Sequence, residues 1–422
     1  MKGKEKENKS DGKRLFLNFA SLSFVQGLNY IFPLILIPYI VRVIGPGKYG
    51  VFSFAVAVSG YFSMLTDWGI SLYGPREVAF IKEKRSAISH LFFQLLYLRI
   101  LSALLLSALY FFIVFTVRKF NHELPIFSLS ALYIITAALS INWFFLGIEK
   151  TSFIALSQAM SKVLWATLVV SLIRGAEDYY LLPLTYGLSA LVGSFLLFWW
   201  AFSRGGIRPV RPEPGEIKRI AKEALPLFLS NISVRIYTGI NTVLLGFLAS
   251  PQAVGYYSLG ERLVKALLGI QSQVSVVFYP HISSQLKKSI AKARAAIKRG
   301  ILGVFALALP LNLLVFLLAK PIIIAMGGVK FLPSVIVLRL LSFLFIVVGA
   351  SNVAGLQILL PFGRRKEFMK ATIAAAFLNL LLGGLTIPFW KEVGAAISFL
   401  ISELLILVLM GRYVLKLKND LL

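Results

Sequence analysis

Residues 15–43 read LFLNFASLSFVQGLNYIFPLILIPYIVRV, and after five intervening residues the stretch 49–72 reads YGVFSFAVAVSGYFSMLTDWGISL. Each stretch stays apolar for more than the roughly 20 residues that an α-helix needs to cross the hydrocarbon core of a bilayer. Both contain proline or glycine, which membrane helices tolerate when neighbouring groups satisfy the freed backbone. The pair therefore predicts two membrane-spanning helices joined by a short turn.

The same pattern continues along the whole chain of 422 residues, of which 58% are hydrophobic and 15% charged. A soluble chain has about 25% charged residues. The predicted spans are 15–43, 49–72, 91–117, 126–147, 153–173, 180–202, 224–249, 254–282, 301–319, 333–360, 369–388 and 393–415. The first is too long for a signal-peptide core, so we expect it to be a mature helix. The sequence thus predicts an all-α polytopic membrane protein with about twelve spans.

The charge of the chain is strongly positive, with 44 Lys and Arg against 18 Asp and Glu and a net charge of +26. Thirty of these cations lie in or beside the gaps that share a side with the N-terminus, and seven lie in the opposite gaps. Because cytoplasmic loops carry the excess of Lys and Arg, both termini are predicted to be cytoplasmic. We interpret the charge as topology signals and contacts with membrane lipids, not as nucleic-acid binding.

Identical residues recur 205 positions apart in the two halves of the chain. The pairs are Lys13 and Lys218, Arg14 and Arg219, Pro46 and Pro251, Gly50 and Gly255, and Ser53 and Ser258. Twelve spans with both ends on one side divide into two six-helix lobes that run in the same direction, a parallel repeat found in transporters. The alternative is that helix entries favour basic residues and tight turns favour Pro and Gly.

The stretch SRGGIRPVRPEPGE, residues 203–216, is rich in Pro and Gly and suits a connector between two lobes. The predicted organisation is a basic cytoplasmic tail at 1–14, an N-lobe at 15–202, a cytoplasmic linker at 203–223, a C-lobe at 224–415 and a cytoplasmic tail at 416–422.

The run GPGKYGVFSFAVAVSGYFSMLTDWGISLYGPREVA, from Gly45 to Ala79, carries a family resemblance. Its GxYGxxSF pattern and the later DWG and REVA resemble the first two helices of polysaccharide-export flippases, the O-antigen and capsule repeat-unit translocases. These belong to the multidrug/oligosaccharidyl-lipid/polysaccharide (MOP) superfamily. Span count, termini and the repeat extend the resemblance loosely over the whole chain. Related peptidoglycan-precursor flippases usually have two additional helices, which this sequence does not show.

This resemblance implies a V-shaped pair of six-helix lobes in the prokaryotic cytoplasmic (inner) membrane. The implied cargo is a polyprenyl-diphosphate-linked oligosaccharide, moved from the inner to the outer leaflet by alternating access. A polysaccharide polymerase and chain-length proteins are the implied partners.

Six cations lie well inside the predicted spans, more than one helical turn from either end, where each costs about 2.5–3.5 kcal/mol unless it faces water or a partner. They are Arg99, Lys162, Arg235, Arg262, Lys265 and Arg339. A cavity with that many cations suits an anion such as a lipid-linked diphosphate. Since guanidinium groups match phosphate through paired donors, we rank Arg235 and Arg262 first.

Several of these residues have a structural interpretation as well. Arg339 lies near a predicted outer end and could snorkel to the headgroups. Lys265 follows Glu261 by one helical turn, so the two could pair on one helix face or contact cargo. Lys162 lies near the centre of its span, where snorkelling is harder.

Four further charged residues suggest gating or coupling. Asp67, Arg76 and Glu77 belong to the family-like motif, and their depth suggests a cytoplasmic gate or a structural ion pair. Glu403, near the middle of the last span, could take up H⁺ or Na⁺ as a coupling ion, or hold a cation of a neighbouring helix. We expect no cofactor besides such an ion.

Signals for enzyme chemistry are absent from the sequence. It has no Cys and three His, and it contains neither a P-loop nor a nucleophile elbow. The first alternative is a membrane-embedded glycan polymerase or ligase, against which the short outside gaps argue. The second is a drug/cation antiporter of the same superfamily, against which the cationic cavity argues.

Overall fold

The computed structural model describes the backbone of residues 2–81 and 84–421. It describes the side chains of residue 21 and of residues 24–29, 32–81, 84, 86–229 and 239–417. Within these residues the only regular secondary structure is helix, joined by turns and by the non-helical linker at 204–213. The predicted all-α class is confirmed.

Ten helical elements lie in the first part of the described chain. They are α1 (Lys2–Leu65), α2 (Ile70–Ile81), α3 (Arg85–Thr116), α4 (Arg118–Asn121), α5 (Leu124–Ser130), α6 (Leu132–Leu139), α7 (Asn142–Gly147), α8 (Thr151–Leu172), a 3₁₀ turn (Ala176–Leu181) and α9 (Leu182–Ser203). The predicted fourth span, 126–147, is thus built from three short helices in succession, α5 to α7.

The second part begins after the linker. Its helices are α10 (Pro214–Leu248), α11 (Pro251–Leu286), α12 (Ile290–Leu317), α13 (Ala319–Gly327), a 3₁₀ turn (Val329–Phe331), α14 (Ser334–Ser342), α15 (Leu344–Asn352), a π-helix (Val353–Leu359) and α16 (Arg365–Leu421). The predicted tenth span, 333–360, is built from α14, α15 and the π-helix.

Eight helical stretches of the described residues are long and apolar enough to cross a membrane. Phe24–Ile81 covers most of the first predicted span and all of the second, and Arg365–Leu417 contains the last two. The predicted spans 224–249 and 254–282 fall largely in α10 and α11 and are not among these eight; within the described residues, Gly239–Leu248 of α10 is found as a shorter apolar helix. The chain is a multi-pass membrane protein. The cytoplasmic position of both termini stays a prediction.

Positive backbone φ angles mark the bends within the longest helices. Gly45 (φ 73°) divides α1 into two limbs, at the short gap predicted between the first two spans. Lys391 (φ 46°) divides α16 in the same way, at the gap before the last span. Only glycine adopts such an angle without strain, so the bend at Gly45 has a direct sequence cause. Trp68 (φ 47°) and Gly69 (φ 77°) turn the chain from α1 into α2.

The chain forms two compact units. The first comprises Met1–Pro33 and Val58–Ile232, and the second comprises Leu34–Ala57 and Ser233–Leu422. Helices α1 and α10 therefore contribute residues to both units. The lobe boundaries inferred from the sequence, 15–202 and 224–415, stay a prediction.

Each unit has a buried apolar interior. In the first, the ring of Phe92 lies 5.6 Å from that of Trp143 and 5.3 Å from that of Phe144, and all three side chains are buried. In the second, small residues such as Ala371 and Ala375 of α16 pack with Met410. The small side chains let helices approach closely, as is typical of membrane helices.

Candidate functional site

Helix α11 carries three predicted site residues, Glu261, Arg262 and Lys265, within little more than one turn. The helix begins after Ser250, whose side chain accepts a hydrogen bond from the backbone N–H three residues later, and Pro251 occupies the first helical position. Residues four apart share a helix face, so Glu261 and Lys265 meet while Arg262 has different neighbours. All three belong to the second unit.

Glu261 is buried, and both of its carboxylate oxygens have donors. Lys265 Nζ lies 2.8 Å from Oε1, the Tyr257 hydroxyl donates to Oε1 at 3.1 Å, and the Thr242 hydroxyl donates to Oε2 at 3.3 Å. A buried carboxylate is costly without such donors. Lys265, Tyr257 and Thr242 therefore stabilise the buried carboxylate of Glu261 within the second unit.

Arg262 is half-buried and lies beside two aromatic rings of α1. Its guanidinium carbon is 5.5 Å from the ring centroid of Tyr49 and 5.6 Å from that of Phe52, and both rings are buried. These distances permit cation–π attraction. Among the described side chains, no carboxylate lies within ion-pair distance of this guanidinium. Its N–H donors thus suit an anion that comes from outside the protein.

Lys265 is less enclosed than Glu261. Its side chain is 39% accessible even though it pairs with Glu261, and its ammonium lies 6.0 Å from the ring centroid of Phe399. An ammonium has three donors, and the ion pair with Glu261 uses one of them. Lys265 and Arg262 together give this part of α11 two cations for one acid.

Arg99 has partners within the first unit. One guanidinium nitrogen lies 3.2 Å from Asp67 Oδ1 and the other donates to the carbonyl of Ser140. The same Asp67 oxygen accepts a hydrogen bond from the hydroxyl of Ser71 at 2.6 Å. The Arg99 side chain is 6% accessible. This arrangement is a structural ion pair that ties α3 to the turn between α1 and α2.

The three remaining predicted cations differ in environment. Lys162 of α8 is half-buried, with its ammonium 5.4 Å from the ring centroid of Phe32. Arg339 of α14 is exposed and lies 5.6 Å from the ring centroid of Phe316. Neither cation forms an ion pair within the part of the chain whose side chains are described. Arg235 belongs to the backbone of α10, but its side chain lies outside the described residues.

The other charged residues of the predicted site are Arg76, Glu77 and Glu403. Arg76 and Glu77 form a loose pair, with Nε 3.8 Å from Oε1, and the Arg76 guanidinium lies over the ring of Phe80. Glu403 is buried in α16, where 4% of the residue is exposed. Burial is compatible with either role that the sequence left open for Glu403.

The DWG residues of the family-like motif have a packing role. The Trp68 indole N–H donates to the carbonyl of Ala221 at 3.1 Å, and its ring stacks on Phe228 with 5.0 Å between centroids. A Cβ on Gly69 would lie 2.8 Å from the carbonyl oxygen of Ala224, which is too close. The turn between α1 and α2 therefore packs against the N-terminal part of α10 within the first unit.

Sequence reasoning missed the neighbours that surround the α11 cluster. Tyr257 lies four residues before Glu261, so the i,i+4 spacing could have identified it. Tyr49 and Phe52 gave no such signal, because they lie on α1, more than 200 residues from Arg262. Their three-residue spacing indicates only that they share one face of a helix.

Taken together, the two helical units, the multi-pass organisation and the intramembrane cations define a membrane protein with the fold of MOP transporters. A solved inward-facing multidrug resistance MATE transporter of the MOP superfamily aligns with a TM-score of 0.69 at 13% identity, over 93% of this chain and 96% of that one. The lipid II flippase MurJ, in an inward closed conformation, aligns with a TM-score of 0.68 at 16% identity, over 94% and 87%.

The chain belongs to the polysaccharide biosynthesis protein family, whose profile matches residues 15–286. It is 27% identical over 398 residues to a putative O-antigen transporter of Escherichia coli K12, covering 94% of this chain and 96% of the relative. It is 24% identical over 399 residues to a putative O-antigen transporter of Shigella dysenteriae, covering 94% and 99%. The family resemblance drawn from residues 45–79 is confirmed, and these relatives are named as transporters, not as enzymes.

Proposed function

We propose that this protein is a flippase that moves a polyprenyl-diphosphate-linked oligosaccharide from the inner to the outer leaflet of a prokaryotic cytoplasmic membrane. The family, the two O-antigen transporter relatives and the MurJ-like fold support this assignment. A polysaccharide polymerase and chain-length proteins would receive the product. The tail of the lipid would stay in the bilayer while the charged headgroup crosses inside the protein.

The observation that carries the proposal is the state of Arg262. Arg262 lies inside the predicted span 254–282, and its guanidinium is beside two buried rings and has no carboxylate partner among the described side chains. A bare diphosphate cannot cross hydrocarbon without a large desolvation cost. A guanidinium offers paired donors that match phosphate oxygens and keeps its charge at any physiological pH. Arg262 is thus our first candidate for the diphosphate contact.

Lys265 is the second candidate contact, because its ammonium could exchange the carboxylate of Glu261 for the diphosphate of the cargo. Its ammonium pairs with Glu261, while 39% of the Lys265 side chain remains accessible. An arriving diphosphate would share this ammonium with the carboxylate. Lys162 and Arg339, which also lack ion-pair partners among the described side chains, and Arg235 are further candidates for headgroup contacts.

Transport would follow alternating access, driven by an ion gradient, the membrane potential or consumption of the product. Glu261 and Glu403 are the buried acids that could take up H⁺ or Na⁺ for coupling. Neutralisation of Glu261 would release Lys265 to the headgroup, which links ion uptake to cargo binding by simple charge balance.

The test is translocation of a fluorescent polyprenyl-diphosphate oligosaccharide in proteoliposomes at matched protein levels. We expect Arg262→Ala to abolish translocation and Arg262→Lys to retain a fraction, since one point charge replaces a two-pronged donor. Arg412→Ala, an exposed cation of the last helix, is the matched control and should transport normally. Wild-type activity with all three variants unaffected would refute Arg262 as the headgroup contact.

Two other functions make different predictions in the same vesicles. A drug/cation antiporter would accumulate a fluorescent cation under a proton or sodium gradient, and a glycan polymerase or ligase would lengthen or transfer the oligosaccharide. Failure of folded wild-type protein to translocate several lipid-linked oligosaccharides, together with either of these activities, would refute the flippase assignment.

A further inference from the structure

One end of the second unit carries a dense positive charge. The loop after α11 and the first turns of α12 contribute six exposed cations, and residues 364–370 at the start of α16 contribute four more, all exposed. The six are Lys287, Lys288, Lys292, Arg294, Lys298 and Arg299. We define the cations of 287–299 and 364–370 as the basic surface. Across residues 283–300 and 361–370, Glu367 is the single acid, and it pairs with Arg364 at 3.3 Å.

The π-helix at Val353–Leu359 packs between the two segments of the basic surface. A Cβ on Gly300 of α12 would overlap the side-chain oxygen of Gln357, so α12 touches this element directly. On the other side, a Cβ on Gly355 would lie 2.7 Å from the ring of Phe368 in α16. The start of α12 and the start of α16 therefore flank the same short helix and present their cations at one end of the unit.

The linker of the first unit has more acids among its basic residues. Residues 203–223 contain six Lys and Arg and three Glu, and some of these charges are paired. Arg219 contacts Glu216 at 2.6 Å and Glu223 at 2.9 Å, and Arg76 lies 3.8 Å from Glu77. The basic surface of the second unit has one acid for ten cations, whereas the linker at 203–223 has three acids for six cations.

Apolar side chains border the basic surface. Ile301 and Leu302 follow its last α12 cation directly and are exposed, and so are Met369 and Ile373 on α16. The opposite face of α12 is buried through the small residues at 293, 296 and 300. A row of cations beside an exposed apolar belt is the pattern of a protein surface at the depth of phospholipid headgroups.

We propose that the basic surface is a binding site for anionic phospholipids, with headgroups of the phosphatidylglycerol class, in the leaflet that the surface adjoins. Lys and Arg near an anionic membrane surface each gain favourable electrostatic energy, and the gain adds along a cluster that has no competing carboxylates. The apolar belt beside it accommodates the acyl chains. The linker of the first unit, where three acids lie among six cations, binds such lipids more weakly.

The experiment counts lipids bound to the full-length protein by native mass spectrometry in a neutral detergent, with phosphatidylglycerol and phosphatidylcholine as probes. The test variant carries Lys287→Gln, Lys288→Gln, Lys292→Gln and Lys298→Gln. The matched control carries Arg204→Gln, Arg208→Gln, Arg211→Gln and Lys222→Gln, which removes the same charge from the first unit. We expect the test variant to bind phosphatidylglycerol roughly tenfold more weakly, and the control to bind it as the wild type does.

Salt and a nucleic-acid competitor test the electrostatic origin and the lipid selectivity of this binding. In wild type, raising NaCl to 0.5 M should weaken phosphatidylglycerol binding strongly, because salt screens surface charge. This test uses the wild-type protein alone and so does not depend on the folding of any variant. Equal loss in both variants, equal affinity for both lipids, or binding that salt leaves unchanged would overturn the proposal. Preferential binding of a short oligonucleotide over phosphatidylglycerol would overturn it too and would identify a general polyanion site.

Discussion

Gly50 and Gly255, which are equivalent positions 205 residues apart, lie against each other's helix in a reciprocal contact. A Cβ on Gly50 would overlap the backbone at Pro251, and a Cβ on Gly255 would overlap the backbone at Pro46. These are the residues that repeat in the sequence, so each copy of the motif packs on the other. Such reciprocity is what a two-fold relation between the copies requires, and it gives the internal repeat a physical basis.

This contact predicts that Gly50→Ala and Gly255→Ala destabilise the protein. The added methyl group meets backbone atoms that cannot move aside, and overpacking of this kind costs about 1–3 kcal/mol. Thermal unfolding in detergent measures the effect. Gly411→Ala is the control, since nothing lies within 4 Å of its added Cβ and it lies inside α16; it should stabilise by about 0.5–1 kcal/mol. Equal melting temperatures for all three variants would contradict the packing.

The same contact can be locked, because the wild-type chain has no Cys. A Cβ on Gly47 would lie 3.9 Å from Gln252 Cγ, so Gly47→Cys with Gln252→Cys should form a disulfide on mild oxidation. If these helix ends separate during transport, oxidation should stop translocation and a reductant should restore it. Each single Cys variant is the control, and its translocation rate should not change on oxidation. A cross-linked protein that transports at the wild-type rate would show that the ends stay together.

Substituting Arg99 or Asp67 alone should destabilise the protein more than expected from the double variant, because each single substitution leaves the other charge without its partner. Arg99→Met leaves the half-enclosed carboxylate of Asp67 without its cation, while Asp67→Asn leaves a buried guanidinium without its anion. Breaking one side of a buried pair costs about 3–5 kcal/mol. The double variant should recover part of the loss, which a double-mutant cycle of unfolding midpoints would measure. Strictly additive losses would mean that the two groups do not interact.

Glu261 and Lys265 predict an asymmetric response in headgroup binding. Glu261→Gln keeps one acceptor oxygen but removes the negative charge that holds Lys265, so binding of a polyprenyl diphosphate should tighten severalfold. Lys265→Ala should weaken binding and destabilise the protein by about 1–3 kcal/mol, because the buried carboxylate loses its cation. Ligand titration with unfolding measurements on the same samples checks both results. Weaker binding by both variants would contradict the exchange of partners.

The first turns of α10 should loosen in acid. The hydrogen bond from Arg219 lowers the pKa of Glu216, and the hydrogen bonds from Tyr73 and then Arg219 lower the pKa of Glu223. Folded-state pKa values below the ordinary 4.5 mean that their stabilisation is present above that pH and is lost as the pH falls through the lowered values. Hydrogen exchange of residues 214–224, corrected for intrinsic rates, should accelerate between pH 5 and 3 in wild type.

Arg219→Gln is the control for this pH dependence. It should exchange faster already at pH 6, with a smaller further change in acid, because the carboxylates have lost their shared partner. Both effects should be small, since the groups are exposed to solvent. A wild-type segment whose protection is flat across this range would contradict the role of the pair.

The sequence by itself determined the class of the protein and the position of its bends. Apolar runs of bilayer length, the placement of Lys and Arg, and Gly45 between two runs are local features, and local features survive folding. The ion pair of Glu261 with Lys265 could also be anticipated, because four residues always span one helical turn.

Only the tertiary structure decided which intramembrane charges are already satisfied. Arg99 and Arg262 look alike in the sequence, as single arginines in apolar spans, yet one is bound by Asp67 and the other lies over Tyr49 and Phe52. Their partners come from α1 and the turn that follows it, far away along the chain, and hydrophobic periodicity does not specify which helix lies beside which. The packing of α1 in each unit therefore separates a structural arginine from one whose donors remain available.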